Sequence, residues 1–524
     1  MKTCFCFLAL GAAFTFSTVP AFSAPVIVHE WGTFTSLQDE NGKAIGGINV
    51  DDEPVPWFVW NVAGASVVKQ YASNTANDSG NLGLPPYSGG KGWVAGDPSV
   101  TMRLETPVLY LYPPKGGEAS SVPPLDVHVD FHGGVLSEYY PYATATGLPM
   151  NGTIPYLQGK ITGETTTGLT WNGVRIGVSG QLENRTDSKM KDIPWMNGQP
   201  IETDDKVWTT PREVSAPLLQ VKASIMEGNA LMDIFQTEHF LFYRGVGHLD
   251  SPLYLSDIGL DGGKMNSRYV WPQRLSSIEG GVAYPIGLAE AHASTYDKGW
   301  LVEIHSDGAC AFREIASFTE GGESRSHPMT QLSFEFGEAE FKVENLDRLK
   351  ASMQEALVKE GLYPDEASAM LHTWELSYFK SPGLRFFYTV PRMWVDKVLS
   401  LKITGAPTKI TRVMIGRIEL ITAAQKAALA RLAAGPCPDL AAVKQAAYDA
   451  LAKGKLSKEE KDAFYSGEKP LIELGIPIPP LVRDYLSLGR FRDALIVHEE
   501  ELHPTPSLAQ FIAENQLKPL ETIH

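Results

Sequence analysis

The chain has 524 residues, 43% hydrophobic and 20% charged, with 61 acidic against 45 basic side chains and a formal charge of −16. That length exceeds a single compact core and predicts two to four domains. The acidic balance argues against a nucleic-acid partner and against anionic membrane surfaces, and no apolar run beyond the N-terminus reaches the length of a membrane span.

The first expected element is a targeting segment. Lys2 gives a basic start, an apolar run extends from Phe5 to Phe16, and Val19-Pro20-Ala21 and Ala21-Phe22-Ser23 place small residues at signal-peptidase spacing. Residues 1–23 are therefore expected to be a cleaved secretory signal, and the protein to be periplasmic or secreted. The segment carries Lys2 and no acid, so its removal leaves a still more acidic chain. Of the cysteines, only Cys310 and Cys437 follow it. Two cannot build a disulfide scaffold or a thiolate zinc site, and whether they pair is open.

Residues 24–335 read as β-rich. Short alternating runs at 26–35, 101–112, 125–131, 174–178, 218–223, 240–244 and 300–305 are separated by Gly, Pro and Asn. They predict antiparallel sandwich-like domains, with long polar loops at 73–96 and 180–199. Residues 336–421 read as a mixed α/β segment. Leu346, Leu349, Met353 and Leu357 predict a helix capped by Gly361, Pro364 opens a second, and 385–390 and 411–421 look like strands. Residues 422–524 read as a helical C-terminal region, interrupted around Pro477 to Pro480. The expected fold class is α+β: a β-rich, antiparallel sandwich-like N-terminal half, an α/β middle and a helical end.

The phrase His29-Glu30-Trp31-Gly32-Thr33-Phe34-Thr35-Ser36 resembles the opening of a group of secreted bacterial proteins of unassigned function. Phe240 to Gly245 and Tyr485 to Phe491 are similar to phrases from the same group. Thr106 to Pro113, with 125–131 and Tyr139-Tyr140-Pro141, also resembles a strand motif of other exported bacterial β-domains. Neither resemblance implies an activity.

Candidate chemistry comes from a few polar residues on apolar runs. Glu30 shares a strand face with Val26, Val28 and Phe34, so its carboxylate needs a cation or a proton. Glu138 follows a Gly-Gly corner, and Glu238 precedes an apolar run that ends at Arg244. As catalytic candidates, Glu30, Glu138 and Glu238 would act as acid or base while Arg244 holds an anion. Their structural reading is a set of buried ion pairs, with Arg244 closing on Glu30 or Glu238.

Asp126, His128, Asp130 and His132 alternate with Leu125, Val127, Val129 and Phe131. His128, Asp130 and His132 are metal-ligand types on one strand face, and a divalent metal is the cofactor they would take. His128 and His132 lie about 13 Å apart along a regular strand, too far for one ion without further ligands. A solvated polar face is the alternative. Trp57, Trp60 and Tyr139 to Tyr142 read either as a sugar-stacking platform or as loop packing. Ser66-Val67-Val68-Lys69 lacks the companion elements of a penicillin-binding site.

Two functions follow from this reading. One is an extracytoplasmic hydrolase or lyase using carboxylates on an envelope or environmental polymer. The other is a non-catalytic binding or envelope-organising protein with a carbohydrate or peptide ligand. Oligomeric state is not legible.

Overall fold

The structure is a computed structural model that describes residues 24–50, 55–62, 91–148, 160–177, 199–227, 230–256, 267–272, 295–319, 330–453, 471–472 and 475–518. The expected signal segment 1–23, the Ser66–Lys69 motif and most of the polar stretches 73–96 and 180–199 lie outside these residues.

The organising element is the strand Val26–Gln38. It is buried along nearly its whole length, polar residues included. A strand covered on both faces loses the polar–apolar alternation of a half-exposed one. It pairs in parallel with Thr408–Leu420 through all thirteen positions, and antiparallel with Met102–Tyr112. Among the described residues it is central to a fifteen-stranded sheet. Its main path runs Cys310–Thr319, Thr295–Ile304, Gly383–Thr389, Thr408–Leu420, Val26–Gln38, Met102–Tyr112, Leu241–Gly247, Gly134–Tyr140, Thr166–Ile176, Leu125–His132, Leu399–Thr404, and Trp60–Asn61, Thr144–Thr146, Leu219–Glu227 and Ala230–Glu238 pair off it. A three-stranded sheet joins Leu253–Ser256, Ser267–Pro272 and Thr330–Ser333.

The fold is thus mixed α and β, with helices concentrated in the C-terminal half. Strands from both sides of residue 335 are neighbours in the main sheet, so sequence order and sheet order differ. The helix Arg392–Val398 touches both Thr408–Leu420 and Leu125–His132, which stand far apart in the sheet order. The sheet therefore curls around that helix. Phe34 meets Trp394 edge-on at 4.9 Å on this inner side. On the outer side Trp31 meets Trp374 edge-on at 6.1 Å, beneath the helix Pro364–Thr373.

The strand Leu125–His132 has the half-buried pattern expected of it. Leu125, Val127, Val129 and Phe131 are fully buried, and Asp126, His128, Asp130 and His132 face outward. The helix Asn345–Lys359 ends at Glu360, and Gly361 follows at φ +112°. Cys310 and Cys437 are both free. No helix among the described residues is long and apolar enough to cross a membrane.

Candidate functional site

Each catalytic candidate sits where strand register dictates. Glu30 lies directly opposite Arg412 in the parallel pair, on the inner side of the curl. Arg412 Nε donates to the Glu30 carboxylate, and Arg412 Nη1 donates to Asp396 at 2.9 Å and to the Leu399 carbonyl at 2.5 Å. The Tyr243 hydroxyl donates to the other Glu30 oxygen. Burial opposes the charge on Arg412, but the Glu30 carboxylate overrides it and raises the guanidinium above its ordinary value. Burial, reinforced by Glu30, pushes the Tyr243 phenol well above its usual range.

Arg244 closes on Glu138, its register partner, rather than on Glu30 or Glu238. Glu238 has a different cation. Arg212 grips it as a fork, Nε at 3.0 Å to one oxygen and Nη2 at 2.6 Å to the other, while Trp208 Nε1 donates at 2.9 Å. All three carboxylates are buried. Glu30 and Glu138 are three strand spacings apart, about 14 Å across the sheet. Paired glycosidase carboxyls stand at roughly 5–9.5 Å. The structure brings Arg244 and Glu138 together and gives each of the three acids its own arginine.

The outward face of Leu125–His132 forms a hydrogen-bonded row. His128 bonds Asp130 at 2.9 Å and Thr170 at 2.8 Å, Ser400 donates to Asp130 at 3.2 Å, and His132 meets Thr166 at 3.2 Å. His128 and Asp130 thus meet each other, while His132 bonds across to a threonine. No group of three or more His, Cys, Asp or Glu among the described residues is arranged to hold a metal ion. The aromatic candidates pack on one another: Trp60 meets Tyr142 edge-on at 5.0 Å, and its indole donates to Gln236 at 3.1 Å.

A further buried polar cluster centres on a residue that periodicity does not reveal. Glu105 precedes Thr106, whose φ of +44° is left-handed, a strained conformation for a β-branched side chain. The register of Met102–Tyr112 slips here against both neighbouring strands. Bulges and strained backbone recur next to functional sites and re-aim side chains. Here the bulge aims Glu105 into a nest of cations. Arg103 and Arg490 each donate from 2.9 Å, Lys91 stands at 4.0 Å, Thr35 donates at 2.8 Å, and Tyr378 donates through its hydroxyl. Burial alone would raise this carboxyl. The Arg103, Lys91 and Arg417 charges and the Tyr378 hydroxyl overcome it and hold Glu105 down at about 2. Arg417 covers the Tyr378 ring at 4.1 Å and pairs with Glu419. Burial lowers Arg490 to about 9.

Arg490 comes from the turn between the helices Pro480–Ser487 and Arg492–Leu502, so this nest ties the C-terminal helices to the sheet. A second tie joins His29 Nδ1 to Glu366 at 2.7 Å, with Tyr112 donating to the same carboxylate at 2.6 Å. The signal for Glu105 was the adjacent Thr106-Pro107, since proline within a strand pattern marks a bulge or an edge.

No protein-family model, curated protein or solved structure matches this chain. Each of the three catalytic candidates is paired with its own arginine: Glu30 with Arg412, Glu138 with Arg244 and Glu238 with Arg212.

Proposed function

We propose that the protein is an exported, non-catalytic binding protein for an envelope or environmental polymer. Its sandwich-like β half carries the ligand surface and its helical end docks against that half. One observation carries the reading: Glu30, Glu138 and Glu238 are all buried, and each is clamped by a different arginine. A general acid or base must exchange a proton with its substrate, and a nucleophilic carboxylate must reach it. Glu30 and Glu238, each held by a guanidinium and by a phenol or indole donor, and Glu138, held by a guanidinium, are placed for neither task.

The test is co-sedimentation of the purified mature protein with insoluble envelope polysaccharide–peptide material, with soluble fragments assayed in the same tubes. Saturable sedimentation without fragment release is expected. Fragment release that disappears in a Glu238→Gln variant would favour the hydrolase reading instead.

A further inference from the structure

A cavity lies where the loop segments around Gly46 and Gly96 meet the helix Arg492–Leu502 and the final described residues. Its volume is about 60 Å³, room for roughly four to six water molecules. Its loop side contains Gly46, Gly47 and Gly96. At Gly46 a Cβ would come within 2.0 Å of the Pro98 carbonyl oxygen, and Gly96 has φ +65° with a Cβ position 2.9 Å from the Leu517 oxygen. A side chain is thus excluded at Gly46 and Gly96, which lets the Pro98 and Leu517 backbones approach, and a Cβ at Gly47 would touch Ala494 of the helix at 3.7 Å.

The helix wall carries the chemistry. His498 and Glu501 stand one turn apart on the same helix face and both line the cavity. His498 Nε2 is buried and has no hydrogen-bond partner. Lys518 lies 3.4 Å from Glu501 and 3.8 Å from Glu500, so one ammonium is shared by two carboxylates. Glu501 and Lys518 line the cavity and balance one another, and Glu500, which shares Lys518, adds one negative charge beside it. Ile45, Val497 and Leu517 add apolar lining.

These features select among ligand chemistries. An anion would meet the surplus carboxylate, and the cavity's ammonium is already engaged. A divalent metal would find two side-chain ligands and no third of suitable type, since the described residues contain no such group of three. An ammonium group suits the set. It offers three donors, Glu501 accepts, and the His498 Nε2 lone pair accepts when the ring proton is on Nδ1. A short aliphatic stem would lie against Ile45, Val497 and Leu517.

We propose that this cavity binds a primary ammonium group on a short alkyl stem, of the kind a diamino acid side chain in a peptide presents. The inference rests on the binding-protein reading and names a class of ligand for it.

The experiment titrates the full mature chain with n-propylamine, following the His498 imidazole resonances by NMR. They are assigned by their disappearance in His498→Gln. Sodium propionate and zinc chloride are titrated in parallel. Saturable movement of the His498 signals with n-propylamine is expected, weakened at least tenfold in Glu501→Gln and absent with propionate. Glu501 is largely exposed, so that variant should fold. Equal amine binding by Glu501→Gln, no saturable movement, or a response to propionate or zinc in place of the amine would each overturn the proposal. If the amine fails while the protein still sediments with envelope material, this inference falls and the binding-protein reading stands.

Discussion

Glu30 and Arg412 are 382 positions apart in the chain and directly opposite in the sheet. The pair is almost completely excluded from solvent; Tyr243 donates to the carboxylate, Asp396 and the Leu399 carbonyl accept from the guanidinium, and the buried Arg412 Nη2 has no partner. Removing one member of such a pair strands a buried charge, whereas replacing both with apolar groups of similar size removes the problem. Glu30→Leu or Arg412→Met alone should therefore cost roughly 3–5 kcal/mol. The double variant should recover most of that loss. Urea unfolding of the four proteins measures this. Additive losses in the double variant would mean that the two side chains do not depend on one another.

Glu105 predicts the acid limit of the fold. Its folded value, about 2, lies below the ordinary 4.5. A carboxyl depressed on folding stabilises the protein above its unfolded value and loses that contribution as pH falls through the folded one. The contribution, on the order of 3 kcal/mol, should be complete above about pH 5 and fade toward pH 2. Glu105→Gln should lower stability at pH 7 and flatten the pH dependence over that window. Melting curves from pH 7 to pH 2.5 that fall in parallel for both proteins would count against the assignment.

The sequence revealed the faces of a strand but not its neighbours. Val127, Val129 and Phe131 were readable as inward because His128 and Asp130 between them face water, so alternation survives. In Val26–Gln38 both faces are covered, and Glu30 could be recognised as needing a cation without that cation being identifiable. Parallel register between distant segments has no local signature, and Arg412 lies in a run that reads only as a strand. Glu105 was hidden for a different reason: the bulge at Thr106-Pro107 breaks the period-two pattern on which strand reading depends.

The bulge itself makes a prediction about two small positions. Gly32 lies opposite it, and a Cβ there would come within 3.0 Å of Pro107 Cα, a backbone atom. Gly32→Ala should cost about 1–3 kcal/mol through overpacking. Thr106→Val keeps the left-handed strain and removes the acceptor of the Trp374 indole, bonded at 2.9 Å. Its expected cost is also about 1–3 kcal/mol. Thr106→Asn should be better tolerated, because asparagine accepts both the conformation and the bond. Thermal unfolding that ranks Val above Asn would contradict this.

The outward row on Leu125–His132 predicts indifference to metal. Asp130→Asn should shift stability by less than ~1 kcal/mol, since its partners His128 and Ser400 are partly exposed. Added zinc or a chelator should leave the melting temperature unchanged. Val129→Asp, which buries a charge in the fully buried face, should prevent folding. A zinc-dependent rise in melting temperature that is lost in Asp130→Asn would restore a metal site there.

On the proposed function, Glu30, Glu138 and Glu238 hold the fold together and perform no catalysis. The most direct test measures melting temperature and polymer-fragment release on the same preparations of wild type and of Glu30→Gln, Glu138→Gln and Glu238→Gln. Each substitution is expected to lower the melting temperature, and no preparation, wild type included, to release fragments. A wild-type protein that releases fragments, together with a glutamine variant that melts normally but has lost that release, would contradict it.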